Sequence, residues 1–218
     1  MTKFLLPVLM LLLSAVQLFS CIREKHTLRM ATKVLLMPVL GFCYITLAPQ
    51  PSYLVLMGIL LGGLGDLALL WPLKPSAFLM GVAAFFAGHA CYLSFVFTAC
   101  SITAPVFWIV LISVVYTAGC VVVYIGSREN MPPMLRIPSL LYMFILAAVS
   151  ACTLMVLISA PSWGSALAFA GATLFLCSDA ILSNMLFVMK SEPPKVNFTV
   201  MLTYILGQCL MAAGWALL

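Results

Sequence analysis

The chain has 218 residues, of which 65% are hydrophobic and 7% are charged, and its mean hydropathy is +1.24. A soluble domain of this length needs far more polar surface, so the composition excludes a soluble globular protein and predicts a polytopic membrane protein. The net charge of +5 is explained by membrane orientation and by attraction to anionic lipid head groups, and gives no indication of nucleic-acid binding.

Eight apolar segments predict an all-α protein, a bundle of eight transmembrane helices that forms one domain over residues 1–218. Most segments have close to the roughly 20 residues that span a bilayer, and the second is short and the least well defined. The joints between them contain proline, serine and charged residues, which favour turns. The segments cover approximately residues 4–21, 34–48, 52–72, 76–99, 104–125, 137–158, 163–189 and 199–217.

The distribution of basic residues predicts the orientation of the bundle. Nine of the ten Lys and Arg residues lie in the odd-numbered connections, and Lys3 is the exception. By the positive-inside tendency these connections are cytoplasmic, so both termini of an eight-span chain lie on the non-cytoplasmic side. The predicted location is the bacterial inner membrane, or the endoplasmic reticulum if the protein is eukaryotic. The sequence predicts neither an oligomeric state nor a preferred lipid head group.

Two carboxyl groups, those of Asp66 and Asp179, fall inside the apolar segments. The other three acids, Glu24, Glu129 and Glu192, lie in basic loops where water can solvate them and Lys or Arg can pair with them. An Asp at the centre of a transmembrane helix costs roughly 2.5 to 3.5 kcal/mol on insertion scales, so each intramembrane Asp needs a partner or a function. No Lys or Arg is expected inside the spans to neutralise them.

Further polar side chains are predicted at a similar depth. His89 and Tyr92 are three residues apart on the fourth segment, and Tyr204 and Gln208 are one helical turn apart on the eighth. Small residues flank these positions and allow close helix approach in lipid. The groups could simply hydrogen-bond one another across helices. Two carboxyl groups that share a proton are, however, the arrangement used in general acid–base chemistry, and this interpretation is favoured.

Five stretches taken together resemble the YhhN-like family of membrane proteins, the lysoplasmalogenases. The resemblance implies an eight-helix enzyme that cleaves the vinyl ether of 1-alkenyl lysophospholipids. Its products would be a fatty aldehyde and glycerophosphocholine or glycerophosphoethanolamine, its partners would be the lysophospholipid and the bilayer, and no cofactor or metal would be required. The stretches are "TKVLLMPVL" at 32–40, "LLGGLGDLALLW" at 60–71, "FFAGHACYLSFVF" at 85–97, "GATLFLCSDAILS" at 171–183 and "TYILGQCLMAAG" at 203–214.

The family motifs transfer residue by residue to this sequence. Two aspartates would be catalytic, one as acid and one as base, and the sequence does not assign the two roles. The remaining motif residues would orient water or the carboxyl groups. The motifs fall on Gly65-Asp66, on Gly88-His89 with Tyr92, on Ser178-Asp179, and on Tyr204 with Gln208.

Two basic residues are candidates for binding the lipid phosphate. Lys33 corresponds to a Lys-Pro start of segment two in the family, but Val34 follows it here and the proline comes only at Pro38. Arg136 lies at the cytoplasmic mouth of segment six, with Tyr142 beneath it. Each of these basic residues could equally be an orientation signal of the positive-inside type.

Two other functional classes stay open on the sequence alone. A proton-coupled transporter also needs intramembrane Asp and His, although the sequence lacks the paired internal repeat typical of transporters. A non-catalytic lipid-binding protein is the other alternative. A zinc hydrolase would need several intramembrane histidines, whereas His89 is the only one expected in a span and His26 falls in the first loop. The eight cysteines contain no C-x-x-C pair and are interpreted as packing residues.

Overall fold

The computed structural model describes residues 2–70 and 74–218. Throughout these residues the chain is helical or in turns, with eight α-helices and one π-helical segment. The helices are α1 (Thr2–Ile22), α2 (His26–Leu47), α3 (Tyr53–Ala68), α4 (Pro75–Ala99), α5 (Val106–Arg128), α6 (Pro133–Ser159), α7 (Trp163–Ser183) and α8 (Pro194–Ala216), and the π-helical segment Asn184–Met189 continues α7.

Seven of the eight helices are long and apolar enough to cross a membrane, which is the character of an integral membrane protein. Helix α3 is equally apolar but has only 16 residues, so it falls short of the length expected of a span. The predicted third segment extended to residue 72, and its last two residues lie outside the described residues. The all-helical prediction is confirmed for the described chain.

The predicted second segment was wrong at its start. Helix α2 begins at His26, eight residues earlier than expected, and is 22 residues long. Arg29 and Lys33 therefore lie on the helix and not in a loop. The helix tolerates these charges because each has an acidic partner, Glu192 for Arg29 and Asp66 for Lys33. Of the four basic residues that indicated a loop, Arg23 and Lys25 do lie in the connection, whereas Arg29 and Lys33 lie in the first half of α2.

The helices form a ring in which α1, α2, α3, α4, α6, α7 and α8 each contact the next, and α8 returns to α1. Helix α8 also touches α2 and α3 across the ring. Helix α5 lies outside the ring and packs mainly on α6, so most of its large apolar side chains are exposed. The interior of the bundle is therefore built from both halves of the chain.

Glycines make the contact between α7 and α8 close. A Cβ added to Gly171 would lie 2.4 Å from the backbone N of Met211, and one added to Gly214 would lie 2.4 Å from that of Ala168. Contacts this short leave no room for any side chain, so the two helices meet backbone to backbone. Gly171 lies about two turns before Asp179 on α7, so this close contact adjoins the helix segment that carries the carboxyl group.

The charged residues of the described helix connections lie at one end of the bundle, which we call the basic end. This end contains the first turns of α2, α4, α6 and α8. An ion pair of 3.3 Å between Arg29 and Glu192 joins α2 there to the linker that precedes α8. At the opposite end the described connections are uncharged, as in the hydrogen bond of 3.0 Å from the backbone N of Thr103 to Ser159 Oγ.

Candidate active site

A cavity of about 300 Å³ opens into the bundle from the basic end. Its apolar wall includes Phe78, Phe85 and Leu186, contributed by α4 and the π-helical segment. A π-helical turn often accompanies a functional site, because the extra residue changes the direction of the side chains. The polar wall brings together residues from six helices, among them Gln17, Lys33, Asp66, Tyr142, Ser178, Asp179 and Tyr204.

Asp66 lies in the last turn of α3 and is 2% exposed. Lys33 Nζ lies 3.3 Å from one carboxylate oxygen, and the Tyr204 hydroxyl donates a hydrogen bond to the other. The expectation that no intramembrane cation neutralises the aspartates was wrong for Asp66, because α2 starts earlier than predicted and carries Lys33 into the bundle. A buried carboxylate with a cation and a hydroxyl donor has the partners that its negative charge requires.

Asp179 lies near the end of α7 and is partly buried. The Tyr142 hydroxyl, from α6, donates a hydrogen bond to one of its oxygens. Among the described residues Asp66 has an ion-pair partner, whereas Asp179 has none. The preceding Ser178 is fully buried and donates to the Val200 carbonyl oxygen at 2.9 Å, which ties α7 to α8 beside the carboxyl group. The two aspartates thus share one cavity but differ in their partners.

The two tyrosines pack around one aromatic side chain. The ring of Phe85, on α4, lies 6.3 Å from that of Tyr142 and 6.4 Å from that of Tyr204, between centroids. Phe175, on α7, lies 5.5 Å from Tyr204. These tilted and edge-to-face ring contacts restrict the rotation of the tyrosines and therefore the directions of their hydroxyl groups.

His89, Tyr92 and Gln208 lie close together but do not line the cavity. His89 is 2% exposed, its Nδ1 is 2.9 Å from the Phe85 carbonyl oxygen, and its ring lies 4.6 Å from that of Phe175. The Tyr92 hydroxyl donates to Gln208 Oε1 at 3.3 Å. These three predicted residues form a deeper polar layer that contacts the cavity wall through aromatic rings.

The two predicted phosphate ligands lie in different places. Lys33 lines the cavity, where it is paired with Asp66. Arg136 does not line it, and its Nε donates to the Met131 carbonyl oxygen at 3.2 Å. Arg29 lines the cavity near its mouth and forms an ion pair of 3.3 Å with Glu192, which also lines it.

Comparison with known proteins decides the family. The model of the YhhN family matches residues 28–215, which is most of the chain. The chain belongs to the YhhN family. No curated protein and no solved structure gives a significant match. The family match includes α2 to α8 and omits α1, although α1 contributes a side chain to the cavity of this YhhN protein.

The sequence did not single out several residues that line the YhhN cavity. Gln17 interrupts the apolar run of α1 as its one amide, a signal that could have identified it. Arg29 was hidden because its partner, Glu192, lies far away in the sequence. Asn197, which donates to Glu192 from five residues away, was also not identified. Among the described residues, no three or more His, Cys, Asp and Glu side chains gather where they could hold a metal ion.

Proposed function

We propose that this YhhN protein is a lysoplasmalogenase, a hydrolase that cleaves the vinyl ether of 1-alkenyl lysophospholipids. The observation that carries the proposal is that Asp66 and Asp179 line one cavity, each with a tyrosine hydroxyl bonded to one oxygen. Family membership is consistent with this activity. Vinyl ether hydrolysis needs one proton donor and one group that stabilises a cation and activates water, and two carboxyl groups can supply both.

The partners of the two aspartates divide these roles. Asp66 faces the ammonium group of Lys33, which favours the carboxylate form, so we assign Asp66 as the base. Asp179 has no ion-pair partner among the described residues, and Tyr142 occupies only one of its oxygens. The second oxygen is left to carry a proton, so we assign Asp179 as the acid. Pairs of carboxyl groups in unlike environments divide acid and base roles in this way.

The reaction would begin with proton transfer from Asp179 to the β-carbon of the vinyl ether. The π-electron pair forms the new C–H bond and leaves an oxocarbenium ion, whose positive charge is stabilised by the neighbouring carboxylates. Water then adds to the carbon that bears the ether oxygen, and Asp66 takes the proton that the water loses. The product of this step is a hemiacetal, with Asp179 now ionised and Asp66 protonated.

Collapse of the hemiacetal would restore both groups. Asp179 takes the hydroxyl proton while the bond to the glycerol oxygen breaks, and Asp66 returns its proton to that oxygen. One water is consumed, one aldehyde and one alcohol are released, and each carboxyl group regains its starting state. The chain's own residues are therefore sufficient for every proton transfer.

The mouth of the cavity suits a zwitterionic head group. Arg29 and Glu192 form an ion pair of 3.3 Å, line the cavity, and are 23% and 40% exposed. A head group that separates the pair would receive a donor for its phosphate from Arg29 and an acceptor for its ammonium group from Glu192. The scissile bond of a single-chain lipid lies just below its head group. Lys33 lies about 6 Å deeper than Arg29 along α2, at ~1.5 Å per residue, and its partner Asp66 lies at the same depth. This depth below the mouth matches the position of the scissile bond below the head group.

The topology proposed with this function has eight crossings and both termini on the non-cytoplasmic side. Helix α3 begins where α2 ends and leads to the basic end, where α4 begins, so its 16 residues must run across the bundle. Their length of about 24 Å, at ~1.5 Å per residue, suits a thin or locally thinned bilayer. The cavity would then open toward the cytoplasmic leaflet.

Aldehyde release tests the proposed function. The purified protein in detergent is incubated with 1-alkenyl lysophosphatidylcholine and 1-alkenyl lysophosphatidylethanolamine, and the aldehyde is measured by coupled oxidation. We expect release from both and none from the corresponding 1-acyl and 1-alkyl lipids. A transporter would release no aldehyde in detergent, and a lipid-binding protein would bind the substrates without consuming them. Either result would overturn the proposal.

A further inference from the structure

Gln17 is a fully buried amide on α1 that lines the cavity. Helix α1 is otherwise one of the most lipid-exposed helices of the ring, and it lies outside the part of the chain that matches the family model. Burial of an amide in such a helix is unfavourable unless its hydrogen bonds are satisfied. Gln17 is therefore a feature of this chain that needs its own explanation.

One end of the Gln17 amide is held and the other is not. Thr32, on α2, hydrogen-bonds to the amide oxygen and also contacts the Leu28 carbonyl oxygen at 2.8 Å. The hydroxyl has one proton to donate, so the amide can be held by its oxygen or, if rotated, by its nitrogen. In both cases one polar atom of the amide has no partner among the described residues, on a side chain that lines the cavity.

The unpartnered atom lies at the depth of the proposed reaction and not at the mouth. Thr32 directly precedes Lys33, which is paired with Asp66, whereas Arg29 and Glu192 are about one turn nearer the opening. At this level the ammonium group of Lys33 already has an acidic partner, Asp66, so a neutral oxygen group is favoured over an anion. A hydroxyl group can both donate to and accept from an amide, whichever way the amide is turned.

We propose that Gln17 binds the free hydroxyl at the glycerol carbon next to the vinyl ether, and so selects lipids with a single chain. This inference rests on the proposed function, since the hydroxyl adjoins the bond that would be cleaved. A lipid acylated at that carbon leaves the amide without its partner and brings a second chain into a cavity of about 300 Å³. Sites built to bond a hydroxyl reject analogues that lack it, because the protein group is then buried unpaired.

A protein–ligand double-mutant cycle tests this role. The protein variant is Gln17→Met, which keeps the length of the side chain and removes its hydrogen bonds, and the ligand variant is a 1-alkenyl lipid with hydrogen in place of the hydroxyl. We expect the wild type to cleave the hydroxyl lipid about tenfold faster in kcat/KM than the deoxy lipid, the effect of roughly one hydrogen bond. Gln17→Met should cleave both lipids at similar rates. The exposed Gln50 gives the control Gln50→Met, which should keep the wild-type preference.

A second readout does not depend on catalysis. Binding of non-hydrolysable 1-alkyl lipids, with and without the hydroxyl, is measured by the rise in thermal midpoint of the wild type and of Gln17→Met. The inference is overturned if Gln17→Met keeps the preference for the hydroxyl lipid. It is also overturned if the variant's kcat/KM and its rise in thermal midpoint fall by the same factor for the lipids with and without the hydroxyl. If the wild type releases no aldehyde but still prefers the hydroxyl lipid in binding, the proposed function fails and the role of Gln17 survives.

Discussion

Tyr142 and Tyr204 hold the two carboxyl groups of the cavity, and they come from helices that do not carry those carboxyl groups. Tyr204, on α8, bonds to Asp66 of α3, and Tyr142, on α6, bonds to Asp179 of α7. Each carboxyl group is thus oriented by a neighbouring helix. Changes at these positions should affect turnover much more than folding.

Replacement of either aspartate by asparagine should abolish most turnover. Asp66→Asn and Asp179→Asn keep the shape of the side chain but lose the acid or base, so we expect aldehyde release to fall at least about 100-fold in each. The double variant should be scarcely slower than either single one, because the two groups act together. Glu24→Gln, at an exposed acid, should be close to silent. Near-normal turnover with normal thermal midpoints would make the aspartates structural.

Infrared spectroscopy can separate the acid from the base without an activity assay. If Asp179 holds the proton in the resting protein, the C=O stretch of a protonated carboxyl group should shift in ²H₂O. This band should disappear in Asp179→Asn and persist in Asp66→Asn. Loss of the band in Asp66→Asn instead would reverse the assigned roles.

The residues of the site were predictable where a polar group interrupts an apolar run. This signal identified Asp66, Asp179 and Tyr204, which the structure brings together at one cavity. It failed for Lys33, because four basic residues in a short stretch indicate a loop until the partner of each is known. The partner of Arg29 is 163 positions away in the sequence, a distance over which periodicity carries no information.

Helices α7 and α8 form the closest pair in the bundle, and they carry Asp179 and Tyr204. Their shared seam contains Gly171, Gly207 and Gly214, where any added Cβ would meet the backbone of the other helix. The sequence predicted close approach from the small residues, but it could not give the register of the two helices. That register determines the distance between the two halves of the site.

A methyl group in this seam should destabilise the protein. In Gly171→Ala the added Cβ would lie 2.4 Å from the Met211 backbone N, so α8 must move, at a cost of about 1–3 kcal/mol. We expect a lower thermal midpoint in detergent and reduced turnover. Gly119→Ala, on α5, is the matched control because no atom lies within 4 Å of its added Cβ. Equal midpoints for the two variants would contradict the backbone-to-backbone contact.

Charge reversal distinguishes a head-group role of the ion pair at the mouth from a structural one. Arg29→Glu and Glu192→Arg should each lower kcat/KM for a zwitterionic lysolipid at least about tenfold, because each loses a charge-assisted contact. The combined reversal restores the ion pair but puts its charges on the wrong sides, so turnover should stay low. Lys25→Glu, at an exposed residue of the same end, is the control. Full recovery in the combined variant would make the pair structural.

The molecule as a whole was the easiest level to predict, because eight apolar segments and the grouping of basic charge are both long-range patterns. The segments anticipated all eight helices, and the largest misplacement was the start of α2. The ring order was not predictable, since α5 leaves the ring and α4 contacts α6 in its place. The sequence of a uniformly apolar helix does not indicate which other helix it packs against in lipid.

Reporter fusions test the orientation. A reporter placed after Leu218 should read as non-cytoplasmic, and one inserted between Glu129 and Pro133 should read as cytoplasmic, because nine of the ten basic residues lie at the end that contains this loop. Reporters fused after Ala99 and after Ser159 should read as non-cytoplasmic, like the reporter after Leu218. The opposite pattern would place the cavity mouth at the other leaflet.

Because α5 packs outside the ring, it connects two parts of the chain that meet at the cavity. The piece before it carries Lys33 and Asp66, and the piece after it carries Asp179 with both tyrosines, so neither piece holds a complete set. Two chains in one membrane could therefore exchange pieces through α5 and build a swapped dimer. In a mixture of Asp66→Asn and Asp179→Asn chains, each swapped dimer that joins one chain of each variant would then contain one cavity with both native aspartates.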